Sequence, residues 1–229
     1  MIWYDYYYYY LILVLPAVLI SVWAQIKVKT TFAKYSEKRT LRGTTAADVS
    51  RGILNSHGLF DVNVTRVSGD LTDHFDPRTN KVSLSDPVYS SDSIAAIGVA
   101  AHECGHAIQH AEGYKPVKLR TALVPITNFG SSISIPLIMA SLFTGIPVFF
   151  AIGIALFSLS TVFQLVTLPV EFNASRRAVN ELKENNTLTE EEIEGVKKVL
   201  GAAALTYVAA LLVSLMSLLR LLLMHRNRR

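Results

Sequence analysis

The most regular feature of this chain is the spacing of its charges. Residues 6–26, 121–170 and 199–219 carry no Asp, Glu, Lys or Arg, which gives uncharged runs of 21, 50 and 21 residues. A helix needs roughly 20 mostly apolar residues to cross a bilayer core. The first and last runs therefore predict one span each, and the middle run predicts two spans joined by a tight turn. Gly145-Ile146-Pro147 is the expected turn, since Gly and Pro are the strongest breakers in the run. Pro136 falls inside the first middle span and is expected to kink it, as membrane helices tolerate. A lone run of 21 residues also fits a buried core helix, but a soluble hairpin of 50 uncharged residues would lack a solvated face. Four spans are expected.

The first run also has a signal-like end at Val22-Trp23-Ala24, but the residues before it include Asp5 and no Lys or Arg, where a signal needs positive charge. Tyr4 and Tyr6 to Tyr10 read instead as an interfacial aromatic belt, with Trp3 and Trp23 roughly 30 Å apart on a helix to mark the two interfaces. The expected organisation is a first span (1–26), an aqueous segment (27–120), a membrane hairpin (121–170), a second aqueous segment (171–198), and a last span with a basic tail (199–229). With four spans, both aqueous segments lie on one side of the membrane, opposite both termini.

Within 27–120 the pattern changes. Ala46 to His57 has helical spacing and stops at Gly58, whereas Asp61 to Val67 alternates like a strand. Lys81 to Ser85 reads as another strand, entered through the turn Asp76-Pro77-Arg78-Thr79-Asn80. Asp92 is the expected N-cap of a helix from Ser93, and Gly113 the residue just past its end.

Composition agrees with this pattern and narrows the class. Hydrophobic residues make up 51% of the chain and charged residues 17%, where a soluble domain carries about a quarter charged. So apolar a chain does not stay disordered. The single cysteine, Cys104, excludes an internal disulfide and any zinc site built from several thiolates. A net charge of +4 would allow a nucleic-acid partner, but the basic residues are distributed 13, 5 and 4 over the two aqueous segments and the tail from Arg220. Lys27, Lys29, Lys34, Lys38, Arg39 and Arg42 directly follow the first span and nothing basic precedes it. Anionic lipid is therefore the expected partner, not nucleic acid. The same bias places both aqueous segments in the cytoplasm, although Arg220, Arg226, Arg228 and Arg229 argue the other way.

The chemistry lies at His102-Glu103-Cys104-Gly105-His106. Residues four apart on a helix differ in direction by about 40°, so His102 and His106 present their imidazoles to one point. Two such nitrogens are half of a tetrahedral zinc site. Glu103 is offset by about 60° from His106. It flanks the ion instead of ligating it, and can deprotonate a water that zinc has acidified. Cys104 points to the packing side of the helix. His110 shares the metal face but lies about 12 Å along the axis from His102, too far to join the same ion. The third ligand must come from another acidic or histidine side chain on the same side of the membrane. Glu171, which ends the 50-residue uncharged run, stands out, with an interfacial anchor as its other reading.

His102-Glu103-Cys104-Gly105-His106-Ala107-Ile108-Gln109-His110, followed after the hairpin by Glu171-Phe172-Asn173-Ala174-Ser175-Arg176-Arg177-Ala178, resembles the YugP-like membrane zinc metallopeptidases. Leu71-Thr72-Asp73-His74-Phe75-Asp76-Pro77 is similar to that family as well, and the resemblance runs over nearly the whole chain. The family is in turn similar to the HtpX-like membrane proteases, in which a Glu after a membrane hairpin completes the zinc site. The resemblance implies that Glu171 is the third ligand. It also exposes a departure: HtpX-like enzymes have an Asp four residues after that Glu, where this chain has Ser175. A hydroxyl is a weaker acceptor for a ligand histidine than a carboxylate, which leaves Asp73, Asp76 or a backbone carbonyl as alternatives. Arg176 and Arg177 are candidates for an oxyanion contact, a lipid phosphate contact or a structural ion pair. His74 is a candidate substrate or oxyanion contact, or a turn histidine without a catalytic role.

The expectation is a mainly α membrane protein: about four transmembrane helices and a small α+β, zincin-like aqueous domain carrying the His-Glu-x-x-His helix. Its expected activity is that of an integral-membrane zinc endopeptidase of the cell membrane. Zinc is held by His102, His106 and Glu171, and Glu103 is the general base. The expected substrate is a protein or peptide, with membrane proteins or their juxtamembrane loops as the natural class, and Lys81 to Ser85 is the expected strand edge for pairing it. Two rivals stand beside this reading. One is an intramembrane protease of the site-2 type, whose motif lies inside a span. The other is a non-catalytic scaffold or adaptor with a structural or vestigial metal site.

Overall fold

Four long helices dominate the computed structural model, which describes residues 7–226. Trp3, Tyr4 and Tyr6 of the expected aromatic belt, and Arg228 and Arg229 of the basic tail, lie outside the described residues. A π-helical turn (Tyr10–Val14) leads into α1 (Leu15–Ser36). Then follow α2 (Ala46–Ser56), β1 (Asn63–Val67), β2 (His74–Asp76), β3 (Lys81–Ser85), a short α3 (Asp86–Tyr89), α4 (Ile94–Ala111), α5 (Lys115–Thr144), α6 (Pro147–Glu184) and α7 (Glu190–Arg226). The helical stretches Tyr7–Ser36, Lys115–Thr144, Pro147–Glu184 and Glu190–Arg226 are long and apolar enough to cross a membrane. The chain divides into two units, one of residues 26–117 and 170–204, the other of the remaining described residues.

The first unit is built around α4. Helix α2 starts where the Thr45 hydroxyl accepts from the Asp48 amide, an N-cap worth about 1 kcal/mol. It ends before Gly58, whose φ of +70° a side chain would resist. The sheet has the order β1-β3-β2, with β1 parallel and β2 antiparallel to β3. Strand β3 is therefore central, paired with β1 over Lys81–Ser85 and with β2 over Lys81–Ser83, and Val82, Ser83, Leu84 and Ser85 are buried. This corrects the expectation that Lys81 to Ser85 offers a free edge, because its backbone groups are already used by two neighbours. The open edges belong to β1 and β2. Strand β2 was not expected, and β1 begins at Asn63, two residues later than its alternation suggested.

Apolar residues of four helices and the sheet close the core: Ile53 and Leu54 of α2, Leu84 of β3, Ile97 and Ile108 of α4, Leu182 of α6 and Ile193 of α7. Each such side chain contributes about 1.5–3 kcal/mol on full burial. The N-cap of α4 is Ser93, whose Oγ accepts from the Ala96 amide, and not Asp92. Asp92 instead pairs with Arg39 at 3.2 Å. The far end of α4 turns at Gly113, with φ +65°.

The second unit packs α5, α6 and α7 through Ile138, Phe150, Ile154, Leu221 and Met224. A Cβ on Gly153 would stand 3.1 Å from the Ser134 carbonyl oxygen, so Gly153 is where α5 and α6 approach closely, as small residues permit between membrane helices. Thr161 and Ser214 share a buried 2.7 Å hydrogen bond between α6 and α7. Helix α5 continues through Pro125 and Pro136, and the break before α6 falls at Gly145, with φ +72°.

Candidate metal centre

Helix α4 turns Ile97, Ala101, Cys104 and Ile108 into the core. Its other side carries His102 and His106, whose ring centroids are 4.8 Å apart and nearly perpendicular. Glu171 faces them from α6 and is only 2% exposed. Its Oε2 lies 3.4 Å from His102 Nε2 and 3.5 Å from His106 Nε2. Among the described residues, this is the group of metal-ligating side chains whose donor atoms converge, all within 4.8 Å of one another.

The spacing fits an ion better than a direct ion pair. Ligands at tetrahedral positions 2.0–2.1 Å from zinc stand about 3.4 Å apart, whereas a charge-assisted N–H···O bond closes to about 2.7–2.9 Å. Two nitrogens and one carboxylate oxygen are also a donor set that zinc accepts. Burial alone would lower the His106 pKa. The carboxylates of Glu171 and Glu103 beside it override that and raise it above the ordinary histidine value. Glu103, one residue after His102, is itself buried. Cys104 stands apart from this chemistry: its Sγ faces the Ser50 carbonyl at 3.7 Å, and burial pushes its thiol up to about 12.

Gly105 lets α4 and α6 come together. A Cβ at that position would meet the Ala174 carbonyl oxygen at 2.7 Å. No rotamer change relieves a clash with backbone, so only a residue without a side chain fits there.

A polar network surrounds these three side chains. Ser175 Oγ is 3.1 Å from His102 Nδ1, and Gln109 Oε1 is 3.0 Å from His106 Nδ1. Gln109 Nε2 donates to the Val170 carbonyl and to Asn173 Oδ1, both at 2.9 Å. Arg177 Nε donates to the same Asn173 oxygen at 2.9 Å, and its two terminal nitrogens bind the Glu112 carboxylate at 2.9 and 2.6 Å. Of the residues singled out in the sequence, His102, His106, Glu171 and Ser175 come together. Arg177 is engaged in an ion pair with Glu112. His74 is exposed at the start of β2, with Nδ1 at 2.8 Å from the Thr72 carbonyl. Asp73 accepts from the Ser85 amide and hydroxyl, and Asp76 from Arg78 and Thr79 in the hairpin turn. Both carboxylates are thus used within the sheet and its turn, and neither meets His102 or His106. Sequence reasoning missed Gln109, Asn173 and Glu112. The available signal was the position of Gln109 three residues after His106, the neighbour spacing of a helix.

The family model described as "Putative neutral zinc metallopeptidase" matches residues 10–226. The chain is 48% identical over 217 residues to "Putative membrane protease YugP" of Bacillus subtilis (strain 168), covering 95% of this chain and 96% of that one. No solved structure matches it.

Proposed function

The chain belongs to this zinc metallopeptidase family, and from that premise we propose that it is an integral-membrane, zinc-dependent endopeptidase. The observation that carries the proposal is the convergence of two imidazole nitrogens and a buried carboxylate oxygen at 3.4 and 3.5 Å. His102 and His106 would hold the ion through Nε2 and Glu171 through Oε2. What a bound zinc supplies is Lewis acidity, which polarises the scissile carbonyl and lowers the pKa of the attacking water. Glu103 accepts the proton of that water as its oxygen bonds to the carbonyl carbon. It then returns the proton to the amine as the C–N bond breaks, leaving a carboxylate and a free amine.

The aqueous unit is proposed to act as a zincin-like domain, with the open edge of β2 available to an extended substrate backbone. Strand β2 lies beside the motif helix, with the Phe75 and His110 rings 5.9 Å apart. Proteins of the membrane, or loops at its surface, are the proposed substrates. The four apolar helices and the membrane-protease relative support membrane association. The multi-pass arrangement and a cytoplasmic catalytic unit belong to the proposal. Helix α4 is not among the four apolar helices and packs against the sheet, which favours this reading over an intramembrane site of the site-2 type.

A chelator test separates an enzyme from a scaffold. Purified full-length protein should cleave an unfolded protein substrate, lose that activity to a chelator, and regain it when zinc is restored. Cleavage that is indifferent to chelation and zinc would overturn the proposal.

A further inference from the structure

We propose that Gln109 is the positioning residue of His106, fixing which ring nitrogen carries the proton and so which one faces the metal centre. This rests on the reading of His102, His106 and Glu171 as a metal site. The argument follows the direction of each hydrogen bond. The Val170 backbone carbonyl can only accept, so the Gln109 atom 2.9 Å from it must be the amide nitrogen. The same nitrogen meets Asn173 Oδ1 at 2.9 Å. That atom of Asn173 must in turn be oxygen, because Arg177 Nε, also at 2.9 Å, can only donate. Arg177 is held in place by its paired bonds to Glu112. An acceptor-only group at one end and a donor-only group at the other thus set both amides without ambiguity.

What remains for His106 is the Gln109 oxygen, 3.0 Å from Nδ1. An oxygen acceptor requires Nδ1 to carry its hydrogen, which leaves Nε2 for the centre. Nε2 is the atom found 3.5 Å from Glu171 Oε2. Gln109 is fully buried, so water does not compete for these bonds. The two ligand histidines are treated differently. His102 Nδ1 meets the Ser175 hydroxyl at 3.1 Å, and a hydroxyl both donates and accepts, so it does not select a tautomer. Val170, Asn173 and Arg177 share α6 with Glu171. One helix therefore supplies the third ligand and also holds the residue that orients the second.

The test uses full-length protein in detergent, loaded with cobalt(II) alone. Proton spectra report imidazole N–H groups of metal-bound histidines as shifted signals that vanish in deuterated water. Wild type should give two such signals. Gln109→Met keeps side-chain length and packing but removes the acceptor, so one signal should shift or disappear and cobalt affinity should fall about 10–100-fold. A merely structural role would lower the thermal midpoint of Gln109→Met and leave both signals in place. Ser175→Ala should alter only the other signal. Two unchanged signals in a folded Gln109→Met protein would overturn the role of Gln109. Should Gln109→Met fail to fold, nitrogen-15 spectra of the zinc-loaded wild type decide: a His106 ring that carries its proton on Nε2 instead of Nδ1 is contrary. A wild-type chain that binds no metal would overturn the metal site, and this inference with it.

Discussion

A carboxylate that is 2% exposed and faces two imidazoles has to share its charge with a cation or a proton, because an uncompensated buried charge costs several kcal/mol. Under the proposed reading, Glu171 is the residue on which metal affinity should depend most. Glu171→Ala removes the only anionic donor of the set, and zinc affinity should drop by more than the roughly 10–100-fold that loss of an outer hydrogen-bond partner costs. Full retention would remove Glu171 from the site. The approach of His102 and His106 to one another was legible in the sequence, since helical geometry alone aligns residues four apart. Glu171 was singled out only by its place at the end of an uncharged run, and its role came from a family resemblance. Gln109 showed only its helical spacing from His106, and the rest of its setting was not legible. Its partners lie 61 and 64 residues away on another helix, and packing, not spacing, brings them together.

Between elements, the contact that matters most is α4 against α6 at Gly105. Helix propensity would favour Gly105→Ala by about 1 kcal/mol. Against that stands a Cβ placed 2.7 Å from a backbone carbonyl, and overpacking of this kind costs about 1–3 kcal/mol. The clash should prevail, because Ala174 cannot move without carrying Glu171, three residues earlier on the same helix. The expected result is a lower thermal midpoint together with weaker zinc binding. A higher midpoint with unchanged zinc would show that the two helices have slack. Among the elements, the apolar helices were readable as charge gaps, and α2, α4 and β3 from periodicity and their bounding residues. Strand β2 was not, because His74-Phe75-Asp76 is too short to show alternation. The central place of β3 was hidden as well: it depends on a parallel pairing with β1 across the intervening β2, and no local pattern reports such a crossover.

At the scale of the whole molecule, charge distribution is the main guide to orientation. The 13 basic residues of 27–120 and the 5 of 171–198 favour a cytoplasmic catalytic unit. Leu41 is 83% exposed and suits a single reporter. Cys104 is buried with a thiol pushed up to about 12, so it stays silent. In intact cells, a Leu41→Cys protein should be shielded from an impermeant thiol reagent and react once the membrane is opened. Labelling from outside would place the unit on the exterior face and leave the chemistry untouched. That chemistry is tested most directly by Glu103→Gln, which keeps the side chain's size and removes its capacity to accept a proton. The substituted protein should hold zinc as wild type does. Its cleavage of an accepted substrate should fall by roughly 10²–10⁴, the worth of a positioned general base. Activity within about threefold of wild type at equal zinc content would contradict the mechanism, since a rate effect of that size is far below what proton transfer by Glu103 must supply.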